Sequence, residues 1–332
     1  MLSCLNPVIL NSGLVVGCGK CLNCLSKRRE EWSIRLQLHA DSYEEMPFFL
    51  TLTYRPDALV FGDTSPTLVK SHFRLFIKRF RDRYKLYNTR FTFFGCGEYG
   101  DRFSRPHGHL LFFGVPQLKE EYDRDVFALN EKLSEIWSFG HVKCVPAYWS
   151  GIHYVTKYTL KIKDDDFEGI EKPFTIVSQN IGKYWFQTDQ AYRIKDSINT
   201  LMMNRAVFHE IMNLDTFDYD SFVVSAKVFL QRIKPYFNIF RVLLPSGKEA
   251  YLPYYFRSKL IGRFEDWKDN PFAIYNYVQR LCDSFDYIKE NYNYDVEHVN
   301  SMAFEQALDK FDRVRQRLIL NNQKKLSKAI FV

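Results

Sequence analysis

The stretch FGCGEYGDRFSRPHGHLLFFG, residues 94–114, decides how the rest of the chain is read. An apolar run ends on Glu98, a polar loop containing Pro106 follows, and a second apolar run opens with His107 and His109. Aromatic and apolar runs bounded by Gly, Pro and Asp read as strands, so RFTFFGCGE (90–98) and HGHLLFFG (107–114) are two strands joined by a turn. Residues i and i+2 of a strand share a face. His107 and His109 therefore project together, while Gly108 and Leu110 face the other way. Eight residues separate Glu98 from His107, and antiparallel pairing would carry the Glu98 carboxylate to the histidines. Two imidazoles and a carboxylate with open positions suit Mg2+ or Mn2+ that must also hold a phosphate oxygen. For an isolated His-x-His, a pair of hydrogen-bonded core histidines is the competing reading.

Working outward, FFLTLTY (48–54) reads as a buried strand. Ser65 followed by Pro66 makes an N-cap and first-turn pair, and Leu68, Phe73, Phe76, Ile77 and Phe80 carry helical periodicity to about residue 86. Residues 116–137 read as one helix, HVKCVPA (141–147) as a strand and SGIHYVTKYTLKI (150–162) as a helix. The order β-α-β-β-α-β followed by α is the split βαβ, ferredoxin-like or RRM-like pattern of an α+β protein. Right-handed crossovers place its first and third strands side by side in the middle of an antiparallel sheet. Four regions follow: a Cys-rich segment and helix (1–47), the core (48–162), an extension of it (163–200), and a mainly helical region (201–332) interrupted by one hairpin, IFRVLLPSGKEAYLPYYF. Residues 161–169 read as a charged loop, and 171–186 give no clear pattern.

In HYVTKYTLK, Tyr154, Lys157, Tyr158 and Lys161 fall at i, i+3, i+4 and i+7, one stripe of a helix. Two phenols and two ammonium groups make a poor core but a serviceable nucleophile array. A phenol with a pKa near 10 needs a cationic neighbour or a metal before it attacks phosphorus. A surface tyrosine pair is the plainer account of the stripe taken alone. Cys18, Cys21 and Cys24 in CGKCLNC, with Cys4 upstream, could supply four thiolates to a structural zinc; free thiols are the alternative. Cys96, Cys144 and Cys282 read as core residues. An odd count of seven cysteines suits a reducing compartment rather than a disulfide framework. No apolar run is long enough for a membrane helix, and the N-terminus does not read as a secretory signal. Net charge is +7, and residues 70–90 hold eight Lys/Arg against one acid, Asp82. The basic end of the chain (313–332) lacks acids altogether, so a polyanionic partner is expected. No phosphate-binding Gly-x4-Gly-Lys loop occurs, which argues against a built-in ATP-driven helicase.

RPHGHLLFFG together with YVTKY resembles the HUH endonucleases, specifically the two-tyrosine rolling-circle replication initiators. CGKCLNCLSKRREEWSIRL, FFLTLTY, CGEYG, RPHGHLLFFG and KPFTIVSQNIGKYW are similar to the initiators of gokushovirus-type microviruses, small single-stranded DNA bacteriophages of the Microviridae. The resemblance covers roughly residues 18–186, and the last 140 or so residues match no motif. It implies His107 and His109 as metal ligands, with Glu98 as the third, and Tyr154 and Tyr158 as nucleophiles that form a 5′-phosphotyrosine with origin DNA. It further implies Mg2+ or Mn2+ as cofactor, single-stranded DNA and host helicase and polymerase as partners, and the cytoplasm of an infected bacterium as the location. Such families usually place a bulky apolar residue between the histidines, where this chain has Gly108. Two other function classes stay open at this level: a non-catalytic ferredoxin-like nucleic-acid binder with a zinc knuckle, and a metal phosphoesterase that uses water. A covalent DNA adduct separates the first reading from both.

Overall fold

A computed structural model describes residues 4–9, 15–63, 65–100, 103–157, 167–203 and 234–261, together with 228, 230, 231, 279, 282 and 283. The chain divides into two compact units. One comprises Ser26–Thr188 with Leu243–Glu249, and the other Met1–Leu25, Asp189–Val242 and Ala250–Val332.

The first unit is built on a five-stranded antiparallel sheet. Its strands are β1 (Phe48–Tyr54), β2 (Thr92–Tyr99), β3 (Pro106–Phe113), β4 (Gly140–Pro146) and β5 (Phe174–Val177), in the spatial order β4-β1-β3-β2-β5. β1 and β3 lie side by side in the interior of the sheet, with β3 also pairing β2, as the ferredoxin-like reading expects. β5 adds an edge beside β2, with Gly95 opposite Ile176. This is the pairing that the sequence of 171–186 left unassigned, and four residues are too few to carry a period of two.

Alternation in FFLTLTY divides the sheet into two faces. Phe48, Leu50, Leu52 and Tyr54 are buried together with Leu110 and Phe112 of β3. Against that face pack Phe73, Phe76, Ile77, Phe80 and Tyr84 of α2 (Lys70–Tyr84), spaced so that each returns to one side of the helix. Leu129, Leu133 and Trp137 of α4 (Val126–Trp137) complete this core. Truncating a buried phenylalanine such as Phe76 to alanine would cost about 3–5 kcal/mol. The opposite face carries Phe94, Cys96, Leu111 and Phe113. It is covered by Leu36 and Ala40 of α1 (Leu22–Ala40) and by Ile152 and Val155 of α5 (Trp149–Lys157). His107 and His109 share this second face with Leu111 and Phe113.

Three boundaries differ from the sequence reading. Pro66 does not open α2: Pro66–Thr67 pairs with Val60–Phe61, and α2 begins after Val69, which makes no side-chain cap. The Tyr99 hydroxyl accepts from the backbone N–H of Leu68 at 3.0 Å, holding the segment extended. Residues 116–137 form two helices, α3 (Pro116–Arg124) and α4, because Asp125 leaves helical geometry and its Oδ1 accepts from the N–H groups of Phe127 (2.9 Å) and Ala128 (3.1 Å). α1 starts at Leu22, inside the cysteine motif, and ends at Ala40. In the other unit lie the described helices α6 (Asp189–Met203) and α7 (Tyr254–Ile261). The expected hairpin forms from Arg241–Leu243 and Glu249–Tyr251, with Gly247 in the left-handed region of its turn. Cys96, Cys144 and Cys282 are buried, as read. No described helix is long and apolar enough to cross a membrane.

Candidate metal centre and nucleophile

Register assembles the site. In the β2–β3 ladder Glu98 stands opposite His107 and Cys96 opposite His109; in the β1–β3 ladder Thr51 stands opposite His109 and Thr53 opposite His107. Directly opposed residues share a face, so one carboxylate and two imidazoles converge. Glu98 Oε1 lies 2.8 Å from His107 Nε2 and 3.0 Å from His109 Nε2. Glu98 and His109 are buried, and His107 is partly open.

Hydrogen bonds behind the imidazoles set which nitrogen faces the carboxylate. A carbonyl can only accept, so His107 Nδ1–H donates to the Arg105 carbonyl oxygen (3.1 Å), and Nε2 is the nitrogen turned to Glu98. His109 Nδ1 contacts the Thr51 hydroxyl at 3.2 Å, again leaving Nε2 toward Glu98. With its Nδ1 proton committed, neutral His107 would set a lone pair against a carboxylate at 2.8 Å. A second proton or a cation must lie between them. Cis donors about 2.1 Å from an octahedral ion are about 3.0 Å apart, which matches the two measured separations. The residues present therefore fit a hard divalent ion, with ring N–H groups anchored behind the ligands as metal-binding histidines require.

Burial works to raise the Glu98 carboxyl pKa, but hydrogen bonding to His107 and His109 and their charge outweigh it and hold the group below its usual range. Burial likewise keeps His109 below the usual imidazole value, with Glu98 acting in the opposite direction.

α5 brings up the phenol. Ile152 and Val155 bury its inner side, which turns Tyr154, 44% exposed, outward along the rim of the site. The Tyr154 ring meets His109 edge-on at 5.6 Å between centroids, and Phe49 contacts both rings, at 5.2 Å from His109 and 6.0 Å from Tyr154. Lys157 is exposed one turn further on. Tyr158 and Lys161 lie outside the described residues. Sequence reasoning missed Thr51, Phe49 and the Arg105 carbonyl. The alternation of FFLTLTY does put Phe49, Thr51 and Thr53 on the face opposite the buried Leu50 and Leu52, and that was the available signal.

A second set of donors lies in the N-terminal segment. The sulfurs of Cys4, Cys18, Cys21 and Cys24 all lie within 4.8 Å of one another. Cys21 is lowered to about 6, first by the Leu5 N–H and then by that of Cys24. Cys18 is lowered by the N–H groups of Lys20 and Cys21. For Cys24 the Gly19 N–H works downward, but burial and the three other sulfurs outweigh it and push the thiol up to about 12. Both clusters anticipated from sequence are thus brought together, and each could coordinate a metal ion.

Residues 47–163, which span β1 to α5 and therefore the whole first cluster, match a family described as replication-associated protein of the ORF2 type. The chain is 37% identical over 155 residues to the replication-associated protein ORF4 of Chlamydia phage 1, covering 43% of this chain and 37% of that protein. It is 27% identical over 197 residues to the replication-associated protein ORF2 of Spiroplasma virus 4 (55% of this chain, 61% of the other). It is also 27% identical over 186 residues to the replication-associated protein VP4 of Bdellovibrio phage phiMH2K (51% and 57%). The matched stretches thus span between 37 and 61% of the length of these relatives. No solved structure matches the chain.

Proposed function

We propose that this chain is a phage replication initiator: a metal-dependent enzyme that nicks and rejoins single-stranded DNA at one origin site and so starts rolling-circle replication. The observation that carries the reading is the Tyr154 ring set against His109, on the rim of a point where Glu98, His107 and His109 converge. The likeness to replication-associated proteins over residues 47–163 supports it, and the motif resemblance points to the gokushovirus-type microviruses.

Glu98, His107 and His109 would hold Mg2+ or Mn2+, which when bound polarises a phosphate oxygen and offsets the charge that builds up during transfer. The Tyr154 phenol, deprotonated to solvent beside the Lys157 ammonium, attacks phosphorus in line. A tyrosyl O–P bond forms as the P–O3′ bond breaks, and the departing O3′ takes up a proton. One product is a 3′-hydroxyl that primes synthesis; the other is a 5′-phosphotyrosine. Tyr158, with Lys161, repeats the attack on the regenerated origin. The new 3′-hydroxyl then displaces the first tyrosine and seals a circle. Thr51, Thr53, Lys143 and His141 extend the same sheet face away from the ligands, polar and accessible to a DNA strand. Unwinding and polymerisation fall to host proteins, in the cytoplasm of the infected bacterium.

The test uses single strands tiling the genome that encodes the chain, each labelled at its 3′ end and incubated with Mn2+. One strand should transfer its label to the protein, and the band should vanish with EDTA and in the Tyr154→Phe, Tyr158→Phe double variant. Cleavage without an adduct would mean that water is the nucleophile. Binding without cleavage would mean a non-catalytic binder. Either result overturns the proposal.

A further inference from the structure

We infer that Cys4, Cys18, Cys21 and Cys24 bind one zinc ion, and that this ion is what folds the segment before α1. Bond geometry comes first. Four sulfurs about 2.3 Å from a tetrahedral zinc are about 3.8 Å apart, and Cys4 Sγ lies 3.7 Å from Cys21 Sγ, with all four within 4.8 Å. Sulfurs joined in a disulfide would be about 2.05 Å apart, and all four cysteines are free. An iron–sulfur cluster places several irons and bridging sulfides among its thiolates and holds them farther apart than a single ion does.

The backbone has the form a thiolate site needs. N–H groups point at sulfur from Cys18 to Cys4 (3.2 Å), from Leu5 to Cys21 (3.5 Å), and from Lys20 (3.4 Å) and Cys21 (3.3 Å) to Cys18. Such donors stabilise sulfur as an anion. The chain can wrap this tightly because Gly17 lacks a Cβ, which would come within 3.0 Å of Cys24 Sγ, and because Gly19 takes a left-handed φ of +73°.

Local packing supplies little else. Leu5, Val8 and Leu22 are 63%, 47% and 74% exposed. The pairing of Val8–Ile9 with Val15–Val16 is a two-stranded ladder two residues long, too small to persist alone in water. Cys4 precedes that ladder and the other three cysteines follow it, so one ion closes the loop from both ends. A soft tetrathiolate site prefers zinc to Mg2+ or Mn2+, and the two clusters therefore load different metals.

The experiment takes the full-length chain, purified and dialysed against EDTA, and measures bound metals by mass spectrometry. About one zinc per chain is expected, released in step with mercurial titration of the thiols and absent from Cys18→Ser and Cys21→Ser. In those variants limited proteolysis should cut within residues 1–21, while Mn2+ binding at Glu98, His107 and His109 persists. Should both variants fail to fold, cobalt exchanged into the unmodified protein must show the intense absorption of tetrahedral thiolate coordination. Absence of zinc, zinc retained in the serine variants, bound iron in its place, or a cobalt spectrum without thiolate bands would each overturn the inference.

Discussion

His109 reaches Glu98 through a nitrogen selected by its neighbour in β1, and that makes Thr51 a positioning residue for the metal centre. Its hydroxyl holds Nδ1 at 3.2 Å and so aims Nε2. Removing such a support usually weakens metal binding by about 10–100-fold. Thr51→Ala should therefore raise the Mn2+ dissociation constant roughly 10-fold or more while leaving the urea midpoint nearly unchanged, and Thr51→Ser should restore it. Calorimetric titration with Mn2+ reads the constant, and an unchanged value in Thr51→Ala would show that the ring is fixed by packing against Phe49 instead. The direction of the two histidines was legible in the sequence because a period of two is strict on a strand. Glu98 was legible because the hairpin leaves its register little freedom. Thr51 was not, since its role depends on pairing between strands more than fifty residues apart, and no local pattern encodes that.

Between elements, Gly108 shows what lies behind the site. The sequence reading took the missing side chain as a local loss of packing; the structure fills the space from α2. A Cβ at Gly108 would run into the Phe73 ring, and one at the opposing Gly97 would come within 2.7 Å of the Phe174 ring. Two glycines facing each other across β2 and β3 thus let aromatic rings from α2 and β5 sit directly on the backbone under the metal ligands. Gly108→Ala should destabilise the protein by about 1–3 kcal/mol, measured as a fall in the urea midpoint. Phe73→Leu should recover part of the loss in the double variant, because the clash is between those two groups. Purely additive effects would mean that the backbone at residue 108 shifts on its own. Element types were readable from periodicity, but their ends depend on single side chains: an apolar period runs unbroken through Asp125, so nothing local announced that its carboxylate would start a new helix. The basic stripe of residues 70–90 has a placement that the sequence could not give. α2 covers the sheet face opposite the histidines, so its exposed Arg74, Lys78 and Arg83 do not line the metal cluster.

Across the unit of residues 26–188, stability couples to pH through a histidine outside the site. His39 is fully buried on α1 between Tyr43, Phe113 and Tyr184. The Gly182 N–H donates to its Nδ1 at 3.1 Å, so Nε2 carries the proton and donates to Thr92 Oγ1 at 2.7 Å. Thr92 in turn meets the Tyr43 hydroxyl, which donates to the Arg90 carbonyl oxygen. The chain of bonds ties α1 to β2 and to the segment after β5, and it is complete only while His39 is neutral. Burial, reinforced by Arg35 and Arg90, lowers its pKa from 6.5 to about 3. A folded-state pKa below the unfolded one means that the unfolded chain binds the extra proton between those values. The contribution of His39 is therefore whole above about pH 6.5 and is lost as pH falls toward 3, at up to about 1.4 kcal/mol per pH unit. Unfolding free energies from urea titrations between pH 7 and 4 should fall with roughly that added slope. His39→Gln offers one acceptor and one donor without titrating, so it should flatten the profile by the same amount while starting from a lower value at pH 7. The buried Glu98–His107–His109 group also takes up protons in this range, and saturating Mn2+ in both proteins keeps its share common to the two curves. Parallel curves for the two proteins would place the acid sensitivity at the metal ligands and leave His39 as packing alone.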